Sequence, residues 1–104
     1  MARWVKVCEA KSLKSGDMFE FDHQDKKIVI VKIKDDLYAT DRICTHAYAD
    51  LSIGILNEGD KTLTCPLHLS AFKLDDGKPQ NLPAKDPLSV YEVKVENNWI
   101  HVFL

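Results

Sequence analysis

Cys44-Thr45-His46 and Cys65-Pro66-Leu67-His68 are the two stretches on which the reading of this chain turns, with eighteen residues between His46 and Cys65. Each contributes one thiol and one imidazole, and each lies in or beside turn-like sequence. Thiolate sulfur is a soft anionic ligand and imidazole a neutral borderline one, so matched pairs of the two read as a metal site. The chain has only three Cys and four His, and two of each fall in these short pairs. Two occupants compete. A tetrahedral zinc ion accepts two Cys and two His, usually with two or more residues between paired ligands. A [2Fe–2S] cluster with two Cys on one iron and two His on the other would be clamped by two loops that each mix sulfur with nitrogen.

The single residue between Cys44 and His46 favours the second occupant. At this point the sequence resembles the Rieske family, whose pattern is C-x-H, a spacer, then C-x-x-H. Leu51-Ser52-Ile53-Gly54 is similar to the L-S-x-G run of Rieske ferredoxins. Downstream, Ser70, Phe72, Gly77, Pro83-Ala84 and Pro87-Leu88 continue the likeness, and Tyr91, Val93 and Val95 carry it almost to the C-terminus. It covers nearly the whole chain, most strongly from Ile43 to Val95.

The resemblance implies one [2Fe–2S] cluster held by Cys44, His46, Cys65 and His68. It also implies a soluble ferredoxin, an electron carrier without turnover of its own, working between a ferredoxin reductase and a terminal oxygenase or other redox enzyme. Ser70, Phe72 and Pro83 would stand around the cluster, with Ser70 near a bridging sulfide and Pro83 in a third wall. Ala47, Tyr48, Leu67, Leu69 and Pro83 would form an apolar collar for partners. For Ala47 and Leu67, simple loop packing is the stronger expectation. The high-potential branch of the family adds a Cys in each ligand loop and a tyrosine near a Cys sulfur. Here Leu67 and Phe72 stand instead, which points to the low-potential type. Leu69 occupies a position where the resemblance leads one to expect Gly. A small Rieske-fold subunit of a larger reductase, such as that of nitrite reductase, is the alternative function, and a structural zinc domain a more distant one.

Replacing two thiolates by neutral imidazoles makes the oxidised site formally neutral and easier to reduce. Rieske centres accordingly span roughly −150 to +300 mV, against about −400 mV for plant-type clusters.

Outside the ligand stretches the pattern is that of short strands. Trp4–Glu9 alternates. Ser15-Gly16-Asp17 is a turn, and Phe19 and Phe21 share one strand face opposite Met18 and Glu20. Ile28–Ile33 is β-branched except at Lys32, which suits a buried strand. Asp35-Asp36 is expected as a turn and Leu37–Thr40 as the strand leading to Cys44. Short strands follow at Lys61–Thr64 and Ala71–Leu74, ended by Asp75-Asp76-Gly77. Lys78–Pro87 holds three prolines and no hydrophobic period. Val90–Glu96 and Trp99–Leu104 make a hairpin around Asn97-Asn98, residues tolerant of positive φ. The expected fold is all-β: an antiparallel sandwich or small barrel, one domain over residues 1–104, with a cluster-binding subdomain inserted at about 43–74.

With 104 residues, 45% hydrophobic and 29% charged, the chain can fold around a modest core. A net charge of −2 gives no electrostatic case for nucleic acid. No apolar run approaches the roughly 18–20 residues needed to cross a bilayer, and the N-terminal residues have no signal-peptide core. A cytoplasmic carrier away from the membrane is the expectation. With Cys44 and Cys65 assigned, Cys8 has no disulfide partner and is read as a sheet or core residue. His23 and His101 match no motif position.

Overall fold

The β-branched run lies at the centre of the molecule. In the computed structural model, which describes residues 3–45, 49–67 and 69–104, it belongs to strand β3 (Lys26–Ile33). Successive side chains of a strand point to opposite faces, and here both faces are covered. Val29, Val31 and Ile33 pack with Leu51, Leu63, Phe72, Leu74, Cys44 and Cys65. Ile28 and Ile30 pack on the other side with Leu13, Ala39, Ile100 and Val102. Full burial of each such side chain contributes ~1.5–3 kcal/mol, so this one strand anchors two cores.

Among the described residues the strands form three antiparallel sheets. The central sheet has the order β2 (Met18–His23), β3, β4 (Asp36–Asp41), β8 (Val90–Tyr91). A second joins β1 (Trp4–Glu9), β10 (Trp99–Phe103) and β9 (Val93–Glu96). Its Ile100 and Val102 face the second core. The third is small: β5 (Ile55–Asn57), β6 (Thr62–Thr64) and β7 (Ala71–Lys73). Leu63 and Phe72 turn inward from it to meet β3. The all-β antiparallel class expected from the sequence is the one observed.

Three local differences have physical causes. The β3–β4 turn falls on Lys34-Asp35, with Lys34 at φ 55°, and Asp36 already belongs to β4. The alternating run 90–96 is two strands. Val90 and Tyr91 pair with β4, then the chain crosses at Glu92 so that Val93–Glu96 pairs with β10. Continuous alternation hides such a change of sheet, because the period of two persists through it. Strand β5 was not expected, since Ile55 points outward and is exposed. Asn97 and Asn98 both adopt positive φ, 54° and 67°, as the two-residue hairpin requires. Cys8 is half-buried in β1 against the second core.

Candidate metal centre

Strand β4 ends at Asp41, and the chain enters the first ligand loop through Arg42 and Ile43. Ile43 and Asp50 form a bridge across the loop's neck. The Leu51 N–H donates to the Arg42 carbonyl at 2.7 Å, and the Cys44 N–H to the Ala49 carbonyl at 2.8 Å. The second loop leaves β6 and returns as β7. Its Cys65 N–H donates to the Ser70 carbonyl, also at 2.8 Å. In both loops the cysteine amide thus closes onto the carbonyl five residues ahead, so two separate turns present their thiols in the same way.

The two thiols meet. Cys44 and Cys65 are each wholly buried, no disulfide joins them, and their side chains are hydrogen-bonded to one another. Burial pushes the Cys65 thiol pKa up, and the bond to Cys44 and its nearby charge push the same way. The backbone at Leu67 opposes them. Two ionised thiolates side by side away from water are costly unless a cation neutralises them. A metal core does this, because a coordinated thiol gives up its proton outright. The donor set therefore fits the cysteine half of an iron–sulfur cluster. His46 and His68, together with Ala47 and Tyr48 of the expected collar, lie outside the described residues.

The proline segment is tied to both loops. Thr45 Oγ1 donates to the Asp86 carbonyl at 2.9 Å. Ser70 Oγ accepts the Ala84 N–H at 3.1 Å within the core. Asn81 accepts the Ala71 N–H at 2.8 Å and donates through Nδ2 to the carbonyls of Leu69 and Leu82, at 3.1 and 3.2 Å. The segment also pairs with β7, where the Gln80 N–H reaches the Ala71 carbonyl and the Lys73 N–H the Lys78 carbonyl. It is a braced wall beside the ligand loops rather than a slack connection. Pro83 lies exposed on it, after a cis peptide from Leu82.

Ser70 and Phe72, the residues expected near the cluster, are both fully buried, and Phe72 packs in the same core as the two cysteines. Leu67 is half exposed, against the expectation of simple loop packing, and Leu69 and Leu82 are 58% and 71% exposed. Sequence reasoning missed Leu82. Its signal was a large apolar residue inside an otherwise polar, proline-rich run. It also missed Asn81, whose bonds depend on how the two loops meet in space. His23 stacks on Phe21, and His101 Nδ1 lies 3.1 Å from the Trp99 carbonyl, both on strands outside the two ligand loops.

Known proteins place this architecture. The family model of the Rieske [2Fe–2S] domain matches residues 3–92. Ferredoxin CarAc of Metapseudomonas resinovorans is 35% identical over 100 residues, covering 95% of this chain and 92% of its own. The solved ferredoxin of carbazole 1,9a-dioxygenase from Nocardioides aromaticivorans IC177 is 32% identical, with a TM-score of 0.90 and 95% of each chain covered. A chain in the solved complex of reduced oxygenase and oxidised ferredoxin of carbazole 1,9a-dioxygenase is 34% identical. Its TM-score is 0.87, with 94% of this chain and 99% of that one covered. Among the described residues no helix is long and apolar enough to cross a membrane. With its paired thiol loops, its three antiparallel sheets and a family match over most of its length, this chain belongs to the Rieske [2Fe–2S] domain family.

Proposed function

We propose that this chain is a one-electron carrier that accepts electrons from a ferredoxin reductase and delivers them to a terminal oxygenase, with no turnover of its own. The observation that carries the reading is the convergence of two like-built loops on one buried thiol pair, with exposed leucines on the second loop and on the wall beside it. Cys44 and Cys65 would hold one iron of a [2Fe–2S] cluster, and His46 and His68 the other. Bound there, the cluster supplies a site that takes up and releases a single electron. The rest falls to the protein. The core of Leu51, Leu63 and Phe72 keeps water from the cysteine side, and the braced loops fix the donors so that little rearranges when charge changes. Leu67, Leu69, Leu82 and Pro83 offer an apolar rim to a partner. The kinship with a ferredoxin solved together with its oxygenase supports the oxygenase as recipient.

Anaerobically purified protein should be coloured and hold about two irons and two inorganic sulfides per chain. The reduced protein should pass one electron to a terminal oxygenase of the aromatic-ring dioxygenase class. Cys65→Ser should lose the cluster and much stability with it, since metal binding here is folding free energy. One zinc per chain and no visible absorption would overturn the reading.

A further inference from the structure

We infer that Arg42 is the positioning residue of the first ligand loop, and that its buried charge helps set the reduction potential of the site. This rests on the cluster reading above. Arg42 stands two residues before Cys44, and its side chain is only 8% exposed. Its guanidinium meets three carboxylates from two parts of the chain. Nη2 lies 2.9 Å from Asp22 Oδ1, Nη1 3.8 Å from Glu20 Oε2, and Nε 3.4 Å from Asp50 Oδ2. Glu20 and Asp22 belong to β2, so the residue ties the loop to the central sheet. Asp50 is the residue bridged to Ile43 across the neck. Arg42 therefore closes from the side what the two backbone hydrogen bonds close from within.

The carboxylates are arranged around it. Asp50 Oδ1 accepts the Ser52 N–H at 2.9 Å and so starts the 3₁₀ turn Leu51–Ile53 that follows the loop. Ser52 Oγ lies 2.6 Å from both Glu20 Oε1 and Asp50 Oδ1, and its single proton can serve one of them at a time. Lys27 is 3.9 Å from Asp22 and mostly in water. One buried cation thus holds together three acids that would otherwise repel across the loop's neck. Nε donates no hydrogen bond of good geometry among the described residues, so that contact is electrostatic. A planar fork can reach acids on two elements at once, which a lysine ammonium cannot reproduce.

Reduction adds negative charge to the cluster. A cation borne two residues from Cys44 would stabilise the reduced state and a carboxylate held against that cation would oppose it, so removing each should move the potential in opposite directions. Merely loosening the loop would not produce opposite signs. Arg42→Met, Arg42→Lys and Asp22→Asn should be made in the full chain. Reduction potential, rate of iron loss to a chelator and thermal melting are then measured on the cluster-loaded proteins. Arg42→Met should release iron about tenfold faster, as when the support of a metal ligand is removed. Its reduction equilibrium should fall about threefold, roughly 28 mV for a one-electron couple. Arg42→Lys should recover most of the potential but not the slow iron release. Asp22→Asn should raise the potential by a smaller amount, because Asp22 is more exposed and better screened. Wild-type potential and iron release in Arg42→Met would overturn the inference, as would potentials that fall in all three variants. Should Arg42→Met fail to hold a cluster, a raised potential in Asp22→Asn together with faster iron release in Arg42→Lys supports the inference, and the absence of either overturns it. A wild-type chain without iron would remove the cluster reading itself, which is a different result.

Discussion

Tyr91 shows how one side chain ties the carrier's outer strand to the approach of its ligand loop. Its phenol donates to Asp41 Oδ1 at 2.6 Å, and the other carboxylate oxygen accepts the Ser89 N–H at 3.2 Å. Asp41 is the last residue of β4, three before Cys44, so this contact steadies the strand on which the first loop hangs. Burial first, and then the bond to Asp41 and its negative charge, push the Tyr91 pKa above the ordinary tyrosine value. The sign follows from linkage. The folded state holds this proton more tightly than the unfolded one, so the contribution is complete below about pH 10, the unfolded value. Stability should then decline as pH rises above it. Tyr91→Phe removes a bond to a charged acceptor and should cost about 1.5 kcal/mol at pH 8, the low end for a partly exposed pair. Urea unfolding at pH 8 and pH 10.5 is the check: the gap between wild type and variant should narrow at the higher pH. A gap that stays constant would mean that the phenol titrates normally.

At the scale of elements, the braced proline segment depends on one backbone conformation. Gly77 ends the β7 excursion at φ 78°, and a Cβ built there would collide with the Leu88 carbonyl oxygen. The two residues are held against each other, since the Gly77 carbonyl accepts the Leu88 N–H at 2.8 Å and the Gly77 N–H donates to the Lys73 carbonyl. Gly77→Ala combines left-handed strain of about 1–3 kcal/mol with a backbone clash. It should destabilise by at least ~2 kcal/mol, seen as a lower urea midpoint with an unchanged slope. This glycine was legible in the sequence as a turn after two aspartates, and so were the two cysteines that meet in the core, the buried run 28–33 and the Asn97-Asn98 hairpin. Each of these is a local signal, in which residue type alone constrains the backbone or its ligand chemistry. What escaped needed distance. Arg42 meets acids at positions 20, 22 and 50, Asn81 joins a loop twelve residues away, and the chain changes sheets at Glu92 without breaking its alternation. None of these leaves a periodic or compositional mark.

For the whole molecule, the question is why large apolar side chains stand in water on the second cysteine loop and the wall beside it. Leu69 and Leu82 have carbonyls bound by the same Asn81 amide, so they are neighbours, and both are more than half exposed. Leu69 moreover sits at φ 58°, a left-handed conformation that costs a non-glycine residue roughly 1–2 kcal/mol. Glycine would satisfy that backbone better, and family resemblance leads one to expect glycine at this position. A strained, exposed leucine is not explained by folding, and an observed outlier of this kind directs attention to function. Apolar anchors at the middle of a docking face supply much of its binding energy, commonly more than 1 kcal/mol each. Leu69→Gly should therefore separate two properties that move together in most variants. Relief of strain, offset by the added freedom of the unfolded chain, should leave stability equal or raise it by up to ~1 kcal/mol in urea unfolding. The loss of the side chain should weaken capture by the oxygenase about five- to tenfold, since 1.4 kcal/mol is a factor of ten. In stopped flow this appears as a higher half-saturating concentration of carrier, with the limiting transfer rate and the reduction potential unchanged. Leu82→Ala should behave likewise without the gain in stability. If Leu69→Gly transfers electrons at wild-type concentrations, the exposed leucine is no docking anchor, and the partner must approach the site from another side.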